Sequence, residues 1–448
     1  MPTVKFFTLG CKVNQYDTQV IREQFQAVGY QEIDNGSPAD ICVINTCTVT
    51  KRADMDSLNI IRKAIRHNPK GKVIVTGCLT ELDSDKIKEI KGVNLIIKNN
   101  NKHKILEHLF LKFPSLNPQT QEPANPQTRK CANSLTRQRA NPQINTISYF
   151  KGHTRAFLKI QDGCDNFCSY CKVPLVRGLP FSKPLPEILY EADKIIKSGV
   201  KEIVLSGICL GKYGKDLSPK ISLVEVIRKI EKIEGLFRIR LSSIEALDVN
   251  DELIGEMALS KKICRHLHIP LQSGDNSILR EMNRDYSADY FLDLICKLRN
   301  RIPDIAITTD VIVGFPGETD EGFMNTIRLI QAITPLKVHI FAYSPRPQTP
   351  AFKKYGYLRD EMAIKERLAY IKKIANECAA DSKRRFLNKE MEVLVEGRNK
   401  DKPDFWEGYT DNYIKVLFKG NLGLKNQFVN VKLTNAIQGY VIGKQIIS

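Results

Sequence analysis

Short apolar runs of β type alternate with segments of helical period along most of this 448-residue chain. Strands that alternate with helices pair in parallel and bury both faces of their sheet, so this order predicts an α/β fold. The first block predicts an N-terminal parallel α/β domain. We expect its strands at Val4–Leu9, Ile41–Asn45, Val73–Thr76 and Val93–Ile97.

A second block, from Ala156 to about Tyr343, predicts six further strands with helices between them. Their expected bounds are Ala156–Ile160, Glu202–Leu205, Arg238–Leu241, His266–Ile269, Ile305–Val313 and Val338–Phe341. Six such units form a barrel or an open partial barrel. In that geometry the chemistry lies at the carboxyl ends of the strands.

Two segments depart from the alternation. Residues 113–148 are rich in Pro, Asn, Gln and Thr and have no apolar period, which predicts a low-complexity linker. A long helix is expected from Asp360 to about Phe386, and after it apolar residues recur with a period of two, which predicts a small antiparallel β-barrel. The expected domains are therefore 1–112, the linker 113–148, a partial (β/α) barrel with a trailing helix over 149–386, and the β-barrel over 387–448.

The charge balance favours a polyanionic partner, although a chain that is merely basic throughout is the alternative. Lys and Arg number 68 against 50 Asp and Glu, a net charge of +18. Basic side chains on phosphates release counterions. No segment has the pattern of a signal peptide or a bilayer span, so we expect a cytoplasmic protein without membrane contact. Its 12 cysteines then indicate metal or redox chemistry rather than disulfides.

Three cysteines, Cys164, Cys168 and Cys171, follow the first strand of the second block and form the strongest motif; we call them the barrel trio. Thiolates at this spacing can hold three corners of a four-iron cluster. The fourth iron then stays open for a cofactor with an amine and a carboxylate, such as S-adenosylmethionine (SAM). A structural zinc site is the alternative, but it needs a closed set of four ligands and no fourth Cys or His lies close in sequence.

A second set, the N-terminal trio, consists of Cys11, Cys47 and Cys78. Each residue lies just past the end of a predicted strand, and in a parallel sheet those ends share one edge. Gly10 and Gly77 precede two of them and allow close approach of the backbone. We therefore predict a second cluster site, with buried structural thiols as the alternative.

The other six cysteines form no set. Four lie within predicted strands or helices and are expected to be buried thiols: Cys42, Cys264, Cys296 and Cys378. Cys131 falls in the linker. Cys209 follows a barrel strand, where it can line the site, but it is not assigned as a ligand.

These residues resemble one known family, the radical-SAM methylthiotransferases, over nearly the whole chain apart from the linker. The similar segments are 8–16, 45–50, 75–78, 268–274, 310–319 and 343–347. Residues 8–16 resemble the MtaB branch, which acts on threonylcarbamoyl-adenosine at position 37 of tRNA. The C-terminal barrel resembles the RNA-binding TRAM domain of that family.

The resemblance implies two [4Fe-4S] clusters and S-adenosyl-L-methionine as cofactors. The barrel trio would hold the cluster that cleaves SAM, and the N-terminal trio would hold the auxiliary cluster that provides sulfur. Two SAM molecules would be used to place a methylthio group on carbon 2 of the adenine. The partners would be the anticodon loop of tRNA, an electron donor such as flavodoxin or ferredoxin, and an unidentified sulfur donor. No side chain is singled out as a catalytic acid or base.

Two groups of residues are candidates for direct contacts. Those at the ends of barrel strands would contact SAM, although the glycines equally fit tight βα turns: Ser206, Gly207, Ser243, Glu245, Val313, Gly314 and Phe315. Those on the C-terminal barrel would stack on bases or contact phosphates, with core packing as the alternative: Trp406, Tyr409, Tyr413, Lys415 and Lys432.

Three other functions stay open at this point. The same chemistry can act on isopentenyl-adenosine of tRNA or on a ribosomal protein, and a basic chain with a β-barrel can be a non-catalytic RNA-binding protein. The net charge and residues 12–15 argue against the ribosomal protein. Two cysteine sets at strand ends argue against a binding protein.

Overall fold

The computed structural model describes residues 1–34, 36–118 and 146–446. The chain forms two compact units, one made of 1–148 with 172–178 and the other of 149–171 with 179–448. Most of the predicted linker, including Cys131, lies outside the described residues. None of the helices in the described ranges is long and apolar enough to cross a lipid bilayer.

The first unit is built on a five-stranded parallel sheet with the strand order β2–β1–β3–β4–β5. The strands are β1 (Thr3–Thr8), β2 (Gln31–Glu32), β3 (Ile41–Thr46), β4 (Lys72–Gly77) and β5 (Val93–Ile96). The helices are α1 (Lys12–Ala27), α2 (Lys51–His67), α3 (Leu79–Leu82), α4 (Ser84–Lys88), α5 (Ile105–Lys112) and α6 (Val173–Arg177).

Helices cover both faces of this sheet, so its central strands are apolar on both sides. Ile41 and Val43 of β3 pack into one core cluster, and Cys42 and Ile44 pack into the other. The four predicted strands are confirmed, and the short edge strand β2 is additional.

The second unit begins with six parallel strands in two sheets, ordered β10–β9–β6 and β11–β12–β13. Isolated parallel bridges link the two sheets, including Ser243 to His268. The strands are β6 (Arg155–Lys159), β9 (Glu202–Ser206), β10 (Arg238–Leu241), β11 (His266–His268), β12 (Ala306–Val313) and β13 (Lys337–Ala342), with a small hairpin of β7 (Gln161–Asp162) and β8 (Phe181–Ser182). The predicted strands match these closely, and among the described residues β6 does not pair with β13, as expected of a partial barrel.

Helices connect these strands and cover their outer face, as expected of parallel βα units. They are α7 (Leu185–Lys197), α8 (Leu223–Glu231), α9 (Asp251–Leu259), α10 (Asn276–Glu281), α11 (Ala288–Arg301), α12 (Asp320–Ile333), α13 (Pro350–Tyr355) and α14 (Glu361–Arg384). The helix α14 confirms the predicted trailing helix. The Asp360 side chain caps its first turn by accepting from the amides of Met362 and Ala363.

The C-terminal residues form a closed five-stranded barrel in the order β14–β15–β16–β18–β17. Its strands are β14 (Glu390–Arg398), β15 (Trp406–Thr410), β16 (Lys415–Lys419), β17 (Phe428–Ile437) and β18 (Tyr440–Gln445). The predicted β-barrel is confirmed, and its strand pairs are antiparallel except at one seam, where β16 and β18 pair in parallel. Strand direction cannot alternate around a closed ring with an odd number of strands, so at least one pair must be parallel.

A buried ion network joins the partial barrel to the C-terminal barrel. Arg240 of β10 pairs with Glu202 of β9 at 2.7 Å, and both side chains are almost fully buried. The same guanidinium donates to the carbonyl oxygens of Thr410 (3.1 Å) and Asp411 (2.8 Å). The turn after β15 is therefore held against strands β9 and β10 of the partial barrel.

Candidate functional site

The N-terminal trio lies along one edge of the first sheet. Cys11, Cys47 and Cys78 follow β1, β3 and β4, which are adjacent strands. A Cβ atom on Gly10, whose φ is +95°, would lie 2.8 Å from the sulfur of Cys47. The glycine therefore lets the Cys11 loop approach Cys47, as the sequence predicts.

The side chain of Asn14 ties two of these loops together. It is fully buried and donates to the carbonyl oxygens of Leu9 (2.8 Å) and Thr46 (3.0 Å). Its own amide oxygen accepts a hydrogen bond from Arg177. The loop at Cys47 is held separately by Ser57, whose hydroxyl contacts the Cys47 amide nitrogen at 3.2 Å and carbonyl oxygen at 3.0 Å.

The three sulfurs are close enough to affect each other's charge. The pKa of the Cys47 thiol is raised to about 11, chiefly by burial; the Cys78 and Cys11 sulfurs also raise it, whereas a backbone hydrogen bond from Val49 and the charge of Arg177 lower it. Three thiolates at this edge repel one another, so a bound cation would relieve the repulsion and release protons. Arg177 was not among the predicted site residues, since an arginine far away in the chain carries no signal of its own.

The barrel trio lies in a tightly held loop after β6. Phe167 adopts a left-handed conformation with φ of +44° within this loop. The Asn283 side chain donates to the carbonyl oxygens of Asn166 and Phe167, both at 3.2 Å. Ser169 is anchored through its amide to Met282 at 3.0 Å. These bonds hold the loop over the carboxyl ends of the barrel strands.

Arg284 connects this loop to one of the predicted SAM contacts. It lies 3.2 Å from the sulfur of Cys168 and forms an ion pair with Glu245. Burial raises the pKa of the Cys168 thiol, and the nearby Arg284 charge opposes that rise. The arrangement keeps one positive charge beside the trio and neutralises it with Glu245. Sequence reasoning proposed Glu245 but missed Arg284.

Cys209 contacts the barrel trio directly. A hydrogen bond from the Cys209 thiol lowers the pKa of Cys164 to about 7, against the opposing effect of burial. The Cys209 backbone amide is held in turn by the side chain of Gln161 at 2.8 Å. Because Cys209 follows a strand of the same barrel, its proximity to this site could be predicted from the sequence.

The chemistry of the two donor sets suits an iron–sulfur cluster. Thiolates are the usual ligands of iron–sulfur clusters, which are larger than one ion. Both donor sets therefore fit such a cluster.

The other predicted SAM contacts have mixed surroundings. Ser243 is exposed, whereas the Ser206 hydroxyl is buried and donates to the carbonyl oxygen of Val204 at 3.1 Å. Phe315 is buried in an apolar cluster against Tyr170 of the trio loop. At Gly207 and Gly314 an added Cβ atom would meet protein atoms, Gln161 at 2.9 Å and Ile364 at 2.1 Å. Val313 is fully buried.

The five predicted RNA contacts differ in exposure: Trp406 is buried, Tyr409, Tyr413 and Lys415 are half-buried, and Lys432 is exposed. Trp406 is buried in the core of the C-terminal barrel, and its indole donates to Asn421 at 2.8 Å. Tyr409 and Tyr413 stack on each other, 5.0 Å apart, with Arg155 over both rings. Lys415 pairs with Glu407 at 2.9 Å, and Lys432 is exposed.

Of the cysteines outside the trios, Cys42, Cys264 and Cys378 are buried as expected. The prediction for Cys296 is wrong, because its side chain is exposed. It follows the buried Ile295 on α11, and the next position along a helix turns away from the core by about 100°.

Three family models match the chain in order. They are described as Uncharacterized protein family UPF0004 (residues 3–98), Radical SAM superfamily (158–330) and TRAM domain (384–446). Among solved structures, the radical S-adenosylmethionine methyltransferase TsrM from Kitasatospora setae matches with a TM-score of 0.54 and 13% identity, over 78% of this chain and 75% of that one. At this low identity, the similarity to TsrM concerns the fold alone.

Curated relatives match over nearly the full length. The threonylcarbamoyladenosine tRNA methylthiotransferase MtaB of Bacillus subtilis is 38% identical, over 99% of this chain and 96% of its own length. The tRNA-2-methylthio-N(6)-dimethylallyladenosine synthase of Clostridium tetani is 31% identical, over 98% of this chain and 95% of its own length. With these relatives and the matched Radical SAM and TRAM models, the chain belongs to the radical-SAM methylthiotransferase family.

Proposed function

We propose that this enzyme adds a methylthio group to carbon 2 of threonylcarbamoyl-adenosine at position 37 of tRNA. The observation that carries the proposal is the 38% identity to the Bacillus MtaB protein over 99% of the chain. The relative that is named for dimethylallyl-adenosine is 31% identical over a similar length. This difference favours threonylcarbamoyl-adenosine over the isopentenyl substrate.

The two trios have separate roles in this proposal. The barrel trio would hold a [4Fe-4S] cluster beside bound SAM, and the N-terminal trio would hold the auxiliary cluster. When bound, these groups supply the electron for SAM cleavage and the sulfur for transfer. Carbon 2 of adenine carries an unactivated C–H bond, which no side-chain acid or base removes readily.

The chain's own residues would position the cofactor and limit side reactions. Glu245 lies at the carboxyl ends of the strands and is held by Arg284, which makes it the best supported of the predicted SAM contacts. The exposed Ser243 can also reach a ligand there. Ser206, Val313 and Phe315 would support the site from below through packing.

RNA contacts are proposed for the two lysines and for Tyr409 and Tyr413, which line the same cavity as Lys415, but not for the buried Trp406. Lys415 lines a cavity of about 1370 Å³ between α14, β13 and the C-terminal barrel. Basic side chains of the same cavity are Lys337, Lys372, Lys373, Lys383 and Arg384. A positive groove of this kind suits a phosphate backbone. The anticodon loop is single-stranded, so its target base can be splayed out at small cost.

The reaction needs partners that the chain does not contain. We propose that it receives electrons from a flavodoxin or ferredoxin. We also propose that it acts in the cytoplasm, because mature tRNA is found there. We also propose that the chain is organised as three domains, at 1–112, 149–386 and 387–448, with a linker at 113–148.

Nucleoside analysis of a deletion strain and its complement tests the function. Mass spectrometry of digested tRNA should show loss of 2-methylthio-threonylcarbamoyl-adenosine in the deletion strain and its return with the wild-type gene. An unchanged profile would reject a tRNA substrate. Loss of the isopentenyl derivative instead would assign the other branch.

Cysteine variants of the purified enzyme separate the two trios. Replacing Cys164, Cys168 and Cys171 by Ala should abolish SAM cleavage and remove about four irons per chain, since each trio is expected to hold one four-iron cluster. Replacing Cys11, Cys47 and Cys78 should remove the other four but leave SAM cleavage in place. The matched control is Cys378→Ala, a buried cysteine on α14 outside both trios.

A further inference from the structure

We propose that His268, Asp310 and His339 form a binding site for one divalent transition-metal ion inside the partial barrel, separate from both cysteine trios. The three residues belong to the adjacent strands β11, β12 and β13. Each offers one ligand atom, and these atoms all lie within 4.8 Å of one another. Among the described residues this is the one such group of His, Cys, Asp and Glu side chains.

The sheet register places these side chains together. Asp310 and His339 are direct partners across β12 and β13, and His268 pairs with Thr308, two residues before Asp310. Alternate residues of a strand point to one face, so Thr308 and Asp310 lie on the same side. All three ligand side chains are half-buried, which limits the desolvation cost and leaves room for an ion.

The spacing already approaches that of a bound ion at one edge. His268 Nε2 lies 3.2 Å from Asp310 Oδ2. Two ligand atoms that share one ion at bonds of about 2.1 Å lie roughly 3.0–3.4 Å apart. The two remaining separations, from His339 to each of these atoms, are within 4.8 Å.

A neighbouring hydroxyl orients the first imidazole as in known metal sites. The Thr308 hydroxyl lies 2.9 Å from His268 Nδ1 and 3.0 Å from His266 Nε2. When Nδ1–H of His268 donates to this hydroxyl, the lone pair of Nε2 points toward Asp310. Metal-ligating histidines commonly use their second nitrogen in this way. In that tautomer, His268 Nε2 and the Asp310 carboxylate are both acceptors and repel each other. A cation bound between them would remove this repulsion.

The donor set indicates the class of ion. Two imidazoles and one carboxylate are the protein ligands of open zinc sites and of non-haem iron(II) sites. Calcium and magnesium prefer sites made of oxygen alone. Three ligands leave coordination positions open. Thr308 and His339 also line the 1370 Å³ cavity described above, which gives an ion a route from solvent.

Zinc binding to the anaerobically reconstituted holoenzyme tests the site, because the cysteines of both trios are then already occupied by iron. Zinc is titrated against a chromophoric chelator, and bound metals are counted by mass spectrometry after desalting. The wild-type enzyme should bind one zinc per chain. His268→Ala and His339→Gln should each weaken that binding at least tenfold, while the iron content stays unchanged.

The matched control is His153→Ala, a histidine outside this group, which should bind zinc like the wild type. Circular dichroism and cluster absorbance verify that each variant is folded; His339→Gln is included because it keeps the size of a half-buried side chain. Absence of zinc binding in the wild type would overturn the proposal. So would one bound zinc that survives both substitutions.

Discussion

Cys209 is a single side chain that changes the surroundings of the barrel trio. Its thiol donates to Cys164, and its own backbone amide is held by Gln161. Asp248 lies 3.9 Å from the same sulfur. Hydrogen bonds to cysteine sulfurs are one of the ways in which proteins tune cluster potentials.

We therefore expect Cys209→Ala to lower the reduction potential of the cluster bound by the barrel trio. A neutral hydrogen bond contributes about 1 kcal/mol, and 1.4 kcal/mol corresponds to 59 mV for one electron, so the shift should be on the order of tens of millivolts. A redox titration followed by electron paramagnetic resonance measures it. Cys378→Ala serves as control, and equal potentials in Cys209→Ala and wild type would contradict the role.

At the scale of structural elements, the ion network under the partial barrel connects β9 and β10 to the turn after β15. Glu202 is fully buried and pairs with Arg240, whereas Glu396 is partly exposed and pairs with Arg155 at 2.6 Å. Removing one partner of a buried pair leaves an uncompensated charge. A pair that is partly open to solvent contributes less.

Glu202→Gln should therefore destabilise the second unit by about 3–5 kcal/mol near pH 7, and Glu396→Gln by about 1 kcal/mol or less. Burial alone would raise the pKa of Glu202, but Arg240 and Arg155 lower it overall, below its usual value of 4.5. The stabilisation is thus complete above pH 4.5 and is lost only as the pH falls through the lower, folded-state pKa. Urea unfolding at pH 7 and at a pH below 4.5 checks both points. Equal midpoints for the two variants would show that the network does not stabilise the unit.

Contacts between the two barrels could not be predicted from the sequence, although the strands could. The alternation of Val393 and Val395 predicted strand β14, and a buried face with a period of two is visible in any single strand. The contact of Tyr413 with His266, 4.7 Å between ring centres, joins residues that are far apart in sequence. No periodicity encodes such a pair, so the contact of Tyr413 with the partial barrel could not be predicted from the sequence.

For the whole molecule, the sequence predicted the strands and the cysteine sets because both depend on local order. Each N-terminal cysteine follows a strand, and parallel strands bring their ends to one edge. The parallel seam between β16 and β18 depends instead on ring closure, a property of the complete barrel. Arg284 and Arg177 likewise reach the trios through tertiary structure alone.

The net charge of +18 predicts that binding of tRNA by the whole enzyme depends on salt concentration. Each phosphate contact releases counterions, so the logarithm of affinity falls with the logarithm of salt concentration. Lys432 is exposed on the C-terminal barrel, and Lys432→Ala should reduce that slope by about 0.7–0.9. Fluorescence anisotropy with labelled tRNA at several salt concentrations measures it. Lys229→Ala, which removes an exposed lysine of α8, should leave the slope unchanged. Equal slopes for Lys432→Ala and wild type would place the RNA elsewhere on this basic surface.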